Sequence, residues 1–233
     1  WNNVLSQYKN LMHHYVHQIS NPEATTFWTG LGAVRKEVFQ EMGGFDERRY
    51  RRPSIEDIEL GYRMRQAGYR IALEKRLQGK HLKRWNFLSL LNSDILCRAI
   101  PWSRLILETK NLPRDLNLRP SHRISSMLVG LLVLLAPLLV FTPEKLFGVS
   151  GPVVIYPSWL LLLGAVLFLN RDFYRFFVVR KGWLFAGAAV GLHFLYYFYS
   201  GVTFALCWVV FRGRTWPQSL LGAMGLHSNR PAG

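Results

Sequence analysis

Ser54-Ile55-Glu56-Asp57-Ile58-Glu59-Leu60-Gly61-Tyr62-Arg63 sets two adjacent carboxylates at the head of an apolar-periodic run. Downstream, His81-Leu82-Lys83-Arg84-Trp85 gathers cationic side chains around an indole. The first stretch predicts a helix over residues 55–67, opened after Pro53-Ser54 and stopped at Gly68. A short strand is expected over 69–73. Asp57 has two readings at this level. Ser54 followed three residues later by Asp57 resembles a capping box, in which the carboxylate only serves a backbone amide. Alternatively, a carboxylate beside a cationic aromatic cluster is a general base beside an anion-stabilising group.

Working outward, Val4, Leu5, Tyr8, Leu11, Met12, Tyr15, Val16 and Ile19 recur at three- and four-residue steps. They predict an amphipathic helix ending before Asn21-Pro22. His13, His14 and His17 fall on its polar side, where a solvated face is preferred over a metal site. Residues 24–34 are rich in Thr and aromatic residues and read as a strand running into a turn at Gly30 and Gly32. Those glycines serve either a plain strand-end turn or the close approach of a backbone to a ligand. A short helix is expected over 35–42, broken by Gly43-Gly44-Phe45-Asp46, and Arg48, Arg49, Arg51 and Arg52 crowd the polar loop that follows.

The 233 residues carry 29 Lys and Arg against 14 Asp and Glu, a formal charge of +15. Such an excess suits an anionic membrane surface or phosphorylated substrates. Nucleic acid is the weakest partner, since the excess lies beside apolar runs and no nucleic-acid-binding module is visible. Only Glu144 and Asp172 follow Arg123 among the acidic residues. A boundary between an aqueous part and a lipid-embedded part is therefore expected, with domains over 1–110 and 111–233. Cys97 and Cys207 offer neither a metal spacing nor a credible disulfide, in keeping with a reducing cytosol. The chain starts at Trp1, from which a truncated N-terminus is expected.

Residues 124–141, 149–169 and 183–211 lack charge. A helix of about 20 residues crosses a hydrocarbon core of about 30 Å, so three spans are expected. The third run is long for one crossing and must tilt, lie partly in the interface or bend, with Gly201 a candidate bend. Arg98, Arg104, Lys110, Arg114, Arg119 and Arg123 precede the first run, and Arg171, Arg175, Arg180 and Lys181 lie between the second and third. By the positive-inside rule residues 1–123 face the cytoplasm of a multi-pass protein of the cytoplasmic (inner) membrane. Residues 86–107 mix apolar and basic side chains and read as interfacial helices at the headgroups.

The order of four elements adds a resemblance. Thr29-Gly30-Leu31-Gly32-Ala33-Val34-Arg35-Lys36-Glu37-Val38-Phe39, Gly43-Gly44-Phe45-Asp46-Glu47, Glu56-Asp57-Ile58-Glu59-Leu60-Gly61-Tyr62-Arg63 and His81-Leu82-Lys83-Arg84-Trp85 together resemble the second half of family-2 glycosyltransferases. The likeness covers about residues 25–105, and the apolar runs resemble the C-terminal anchor of membrane members. It implies an α/β fold, the C-terminal part of a GT-A nucleotide-sugar transferase domain, followed by the transmembrane helices. It also implies inverting transfer from a nucleotide-diphosphate sugar to a lipid-linked or envelope-glycan acceptor, with Asp57 as general base and Glu56 beside it.

Arg84, Trp85, Gly30 and Arg35 are the implied donor- and acceptor-binding residues. His81 stands where processive members carry Gln, which speaks against processive polymerisation, and is a candidate ligand for Mg2+ or Mn2+. The family's donor-binding half with its Asp-x-Asp motif is absent from residues 1–24, so this piece alone is expected to be inactive. Two other functions fit the same residues. One is a processive polysaccharide synthase; the other is a non-catalytic membrane scaffold whose basic arm binds anionic lipid.

Overall fold

The computed structural model describes residues 3–79, 81–112, 118–146 and 148–212. They divide into two compact units, one holding the described residues up to 116 and from 203 onward, the other those within 117–202. Helix accounts for 69% of the structure and strand for 4%. This overturns the expected α/β, GT-A architecture. Strand pairing among the described residues is confined to two antiparallel ladders, β1 (Glu23–Ala24) with β2 (Ile71–Ala72), and β3 (Lys145–Leu146) with β4 (Val149–Ser150). Neither ladder is parallel, so no parallel sheet is present among the described residues.

In the first unit, α1 (Val4–Ile19) opens with Asn3, whose side chain accepts from the Ser6 amide at 2.7 Å. Tyr8, Met12 and Val16 on its buried stripe face the protein. Lys9 lies on the same side and meets Asp94 at 2.5 Å, both side chains 3% exposed. Asp94 ends α4 (Phe87–Asp94), which Asn86 and Ser89 start with a reciprocal capping box. A π-helical turn over Ile95–Ala99 then joins α4 to α5 (Ile100–Thr109). The interfacial segment anticipated over 86–107 is thus helical, though one face is committed to protein: Ile100, Trp102, Leu105 and Ile106 are buried.

The strand expected over 24–34 is only two residues long. After β1 the chain runs extended to a 3-10 turn at Thr29–Leu31, and α2 (Lys36–Glu41) follows. The helix expected over 55–67 forms as α3 (Glu56–Gln66). It lies so close to the extended chain that a Cβ built on Gly61 would stand 2.3 Å from the Phe27 amide nitrogen. Phe27 consequently packs with Leu60 and Met64, with Val38, Phe39 and Phe45 around them. Two glycines at φ +71° and +70°, Gly43 and Gly44, let the chain reverse after α2.

The second unit is helical. The first apolar run forms α6 (Pro120–Leu135) and a short α7 (Pro137–Val140), divided at Pro137. Proline lacks the amide that would continue the helix, so the run expected as a span over 124–141 is broken near its end, and α6 alone is about 24 Å long. The chain between the first two apolar runs is a tight hairpin, β3 and β4, turning at Gly148 with φ +79°. Two helices, α8 (Gly151–Leu169) and residues Trp183–Phe211 of α10 (Trp183–Arg212), are long and apolar enough to cross a membrane. Between them α9 (Arg171–Lys181) buries Phe173, Tyr174 and Phe177 and carries Arg171, Arg175, Arg180 and Lys181.

Helix α10 is continuous through Gly201. That glycine is a packing site, because a Cβ there would stand 2.4 Å from the Ser126 hydroxyl of α6. Polar pairing inside this unit links His122 Nδ1 to the Tyr197 hydroxyl (2.7 Å), that hydroxyl to Asn170 Oδ1 (2.6 Å), and Asn170 Nδ2 to Ser125 Oγ (2.9 Å).

Two stability outcomes follow. Gly61→Ala should cost roughly 1–3 kcal/mol, because backbone atoms cannot yield to the methyl, whereas Gly30→Ala, with no atom within 4 Å, should leave the thermal midpoint unchanged within about 0.5 kcal/mol. Equal losses would refute the close approach. Lys9→Met should destabilise by about 3–5 kcal/mol by stranding the Asp94 charge, with most of the loss recovered in a Lys9→Met, Asp94→Leu double variant. Urea unfolding of the detergent-solubilised protein measures both; no recovery in the double variant would deny the pair its role.

Candidate functional site

Asp57 occupies the first turn of α3, half-buried. Its Oδ2 accepts from both the amide and the hydroxyl of Thr29, each at 3.0 Å, and its Oδ1 accepts from the Ile58 amide at 2.8 Å. The carboxylate therefore latches the 3-10 turn onto α3. The capping box expected from Ser54 and Asp57 does not form: Ile55 is the cap residue and contributes no side chain to it. Glu56 turns back instead, accepting from the Ser54 amide at 2.7 Å, while the Ser54 hydroxyl donates to the Cys97 carbonyl at 2.7 Å. Glu56 is thus committed to the chain just before α3, and Asp57 is the one turned toward the neighbouring segment.

The Thr29 latch positions Trp28. Its indole N–H donates to the Thr26 hydroxyl at 2.8 Å, which fixes the ring. His13 and His17 of α1 meet that ring edge-on, at centroid distances of 6.0 and 5.2 Å. The Arg98 guanidinium stands 5.9 Å from the same ring, and its Nη1 donates to His13 Nε2 at 3.2 Å. Guanidinium only donates, so Nε2 carries a lone pair and the neutral ring holds its proton on Nδ1. The expected solvated histidine face is corrected here: one helical turn apart, His13 and His17 are the packing surface for Trp28. Burial first, then the positive charges of Lys9, Arg98, His17 and His81, hold the His13 pKa well below the usual histidine range.

The residues of the downstream cluster separate. Trp85 is 2% exposed, its backbone amide donating to Ser6 Oγ at 2.8 Å and its carbonyl accepting from Asn3 Nδ2 at 3.2 Å. Lys83 Nζ sits 4.0 Å from the Trp85 ring centroid. An indole so covered presents no open face for a sugar, and its burial also removes it as an interface anchor. Arg84 and His81 are exposed, and the His81 carbonyl accepts from Asn10 Nδ2 at 3.2 Å. Burial, followed by the Lys83 and Arg98 charges, lowers the His81 pKa.

A divalent cation does not fit at His81. The groups that act on it are cations, and among the described residues no cluster of three or more His, Cys, Asp or Glu is placed to hold a metal. Gly30 and Arg35 are both exposed, flanking the open side of the 3-10 turn. Nothing lies within 4 Å of a Cβ built on Gly30, whereas one on Gly32 would stand 2.7 Å from the Trp28 carbonyl. Gly32 is therefore the packing glycine of the pair.

A separate open cleft of roughly 710 Å3 lies between the Gly43-Gly44 reversal and α3, lined by Phe39, Phe45, Asp46, Arg48, Glu59 and Arg63 among others. Arg63 closes its floor, pairing with Glu59 at 2.8 Å and donating to the Gly44 carbonyl at 2.7 Å. Asp57 is not among its lining residues. Sequence reasoning missed Trp28, Thr29, His13 and Arg98 as one constellation. The single local signal was the four-residue spacing of His13 and His17, which places both on one helix face.

With its pKa depressed in the fold, His13 is protonated in the unfolded chain first as pH falls. The stabilisation is complete above about pH 6.5 and is lost as pH drops below it. The unfolding midpoint of the wild type should fall more steeply between about pH 7 and 5 than that of His13→Gln. Parallel curves would show that His13 is not held neutral.

Compared with known proteins, this chain matches no family model, no curated protein and no solved structure.

Proposed function

We propose that this chain serves as part of a membrane enzyme performing an inverting sugar transfer from a nucleotide-diphosphate donor to a lipid-linked or envelope-glycan acceptor, with Asp57 as the general base. One observation carries the proposal: of the two carboxylates opening α3, Glu56 is spent on the Ser54 amide, while Asp57 is held half-exposed by Thr29, the residue after the Trp28 that His13 and Arg98 contact. The proposal rests on that placement and on the motif order it shares with family-2 glycosyltransferases, and not on the GT-A architecture.

Asp57 takes the proton of the acceptor hydroxyl as its oxygen attacks the anomeric carbon. The bond from that carbon to the diphosphate oxygen breaks on the opposite face, and the electron pair leaves with the nucleoside diphosphate. Cationic side chains near Trp28 stabilise that developing charge. No step runs through a metal, since the residues around His81 do not suit one. Thr29 must share or release Oδ2 as the acceptor binds, which couples acceptor entry to the 3-10 turn.

The two helices capable of crossing a membrane support a lipid-borne acceptor. Basic side chains precede α6 and recur on α9, so with α6 and α7 crossing together ahead of α8 the proposed setting is a multi-pass protein of the cytoplasmic membrane, residues 1–123 on the cytoplasmic side. A scaffold reading draws on one feature, the basic exposed face of α9, which suits anionic headgroups.

In membranes expressing the protein, Asp57→Asn should lower the transfer of labelled sugar from nucleotide-sugar donors to lipid-extractable product by about 10²–10⁴-fold, leaving membrane insertion intact. Glu56→Gln should act through stability alone. Undiminished transfer by Asp57→Asn sinks the general-base assignment and favours the scaffold.

A further inference from the structure

Several arginines of the first unit are neutralised where they stand. Arg63 has Glu59, Arg65 has Glu23, Arg104 has Glu108 and Arg49 also reaches Glu108. Arg98 is different. It projects half-buried from the π turn between α4 and α5, a distortion that often re-aims a functional side chain. Its hydrogen bond goes to the neutral nitrogen of His13, and among the described residues no carboxylate lies within ion-pairing distance of it.

The surroundings compound the imbalance. Lys83 likewise has no carboxylate within that distance among the described residues and rests on the Trp85 ring instead. Lys9 belongs to Asp94. His13, His17 and His81 complete the group: His13 takes the Arg98 hydrogen bond, His17 packs on the same indole, and the His81 carbonyl accepts from Asn10 of α1; Arg98 disfavours the charged forms of Lys9, His13 and His81 together. A half-buried guanidinium left beside an ammonium and three imidazoles is unfavourable unless something anionic joins them.

We propose that Arg98 and Lys83, with the imidazoles of His13 and His81, form a binding site for a phosphate-type oxyanion. On the transfer reading above, the leaving diphosphate is its occupant; that assignment rests on the reading, whereas the anion site itself does not. Guanidinium offers planar paired donors to phosphate oxygens, and Lys83 adds a point charge on a flexible stem. Trp28 holds the Arg98 plane and, through Thr29, ties the site to the Asp57 turn. A bound dianion would also draw protons onto His13 and His81, which face Lys9, His17, Arg98 and Lys83, with Asp94 on Lys9 and Asp57 on the adjoining Thr29 turn as acidic neighbours. Affinity therefore rises as pH falls.

Inorganic diphosphate titrated into the full chain in nanodiscs of zwitterionic lipid, followed by calorimetry, tests the site. Wild type should bind saturably and more tightly at pH 6 than at pH 8. Arg98→Gln and Lys83→Gln should each weaken binding by about tenfold, and His13→Gln should flatten the pH dependence. Lys83 is exposed, so its variant remains informative if Arg98→Gln fails to fold. A second arm uses flotation on phosphatidylglycerol vesicles. If the two variants lose flotation and diphosphate does not compete, a lipid headgroup is the source: the oxyanion site stands and its leaving-group occupant falls. Asp57→Asn should lose transfer while still binding diphosphate saturably, which separates loss of transfer from loss of the anion. Binding of both probes within twofold of wild type in Arg98→Gln and Lys83→Gln, or no saturable binding of either probe by wild type, overturns the proposal.

Discussion

Helix α3 presses against the extended residues 26–29 at a distance only a glycine allows, and the first unit is organised by that contact. With Gly61 beneath the Phe27 amide, Phe27 drops into the apolar layer of Leu60 and Met64. One residue later Trp28 faces the opposite way, as alternation along an extended chain requires, and meets α1. Thr29 then returns to α3 and is caught by Asp57. A side chain at position 61 would push this segment out, and both the ring and the carboxylate would lose their bearings. Packing and chemistry thus share one steric constraint.

Charge is distributed by the same economy of space. Where a carboxylate reaches an arginine, the pair ties neighbouring segments: Arg65 to Glu23 joins α3 to β1, and Arg49 to Glu108 joins the 47–52 loop to α5. That loop, crowded with four arginines, is therefore partly tied down. The buried Lys9 and Asp94 pair fixes α1 against the end of α4, immediately before the π turn that carries Arg98. Buried pairs of this kind contribute little net energy but penalise every arrangement that separates them. Here the arrangement they enforce holds Arg98 over Trp28.

The second unit solves a different problem. Its helices are apolar on most faces, which specifies no unique packing, and small or polar residues supply the register. Gly201 lets α10 approach Ser126 of α6, and Asn170, at the junction of α8 and α9, accepts from Tyr197 and donates to Ser125. Between α8 and α10, the amphipathic α9 buries aromatic side chains and turns its arginines outward, the pattern of a helix lying along an interface.

Local chemistry along the chain was enough to locate α1, α2 and α3 nearly to the residue, because caps, glycines and 3.6-residue periodicity are written within a few positions of one another. It also marked the apolar helices, since their length and lack of charge are properties of composition. The β content was overread: Thr and aromatic residues in 24–34 favour extended chain, but a strand needs a partner, and β2 supplies only two residues of it. Pro137 was visible too, yet how it divides the first apolar run depended on the helix ending there.

The candidate site was legible only in part. Asp57 and Glu56 stood out as adjacent acidic residues at a helix start, with Asp57 singled out by the resemblance, but that Glu56 folds back on Ser54 and that Thr29 lies across from Asp57 is visible only in the fold. His13 and Arg98 are separated by 85 positions, and no periodicity joins residues so far apart. Trp85 looked like a ligand platform from its cationic neighbours, and burial against α1 removed it from that role. Which side chains meet is settled by the close packing of distant segments, and that geometry is a property of the folded chain as a whole.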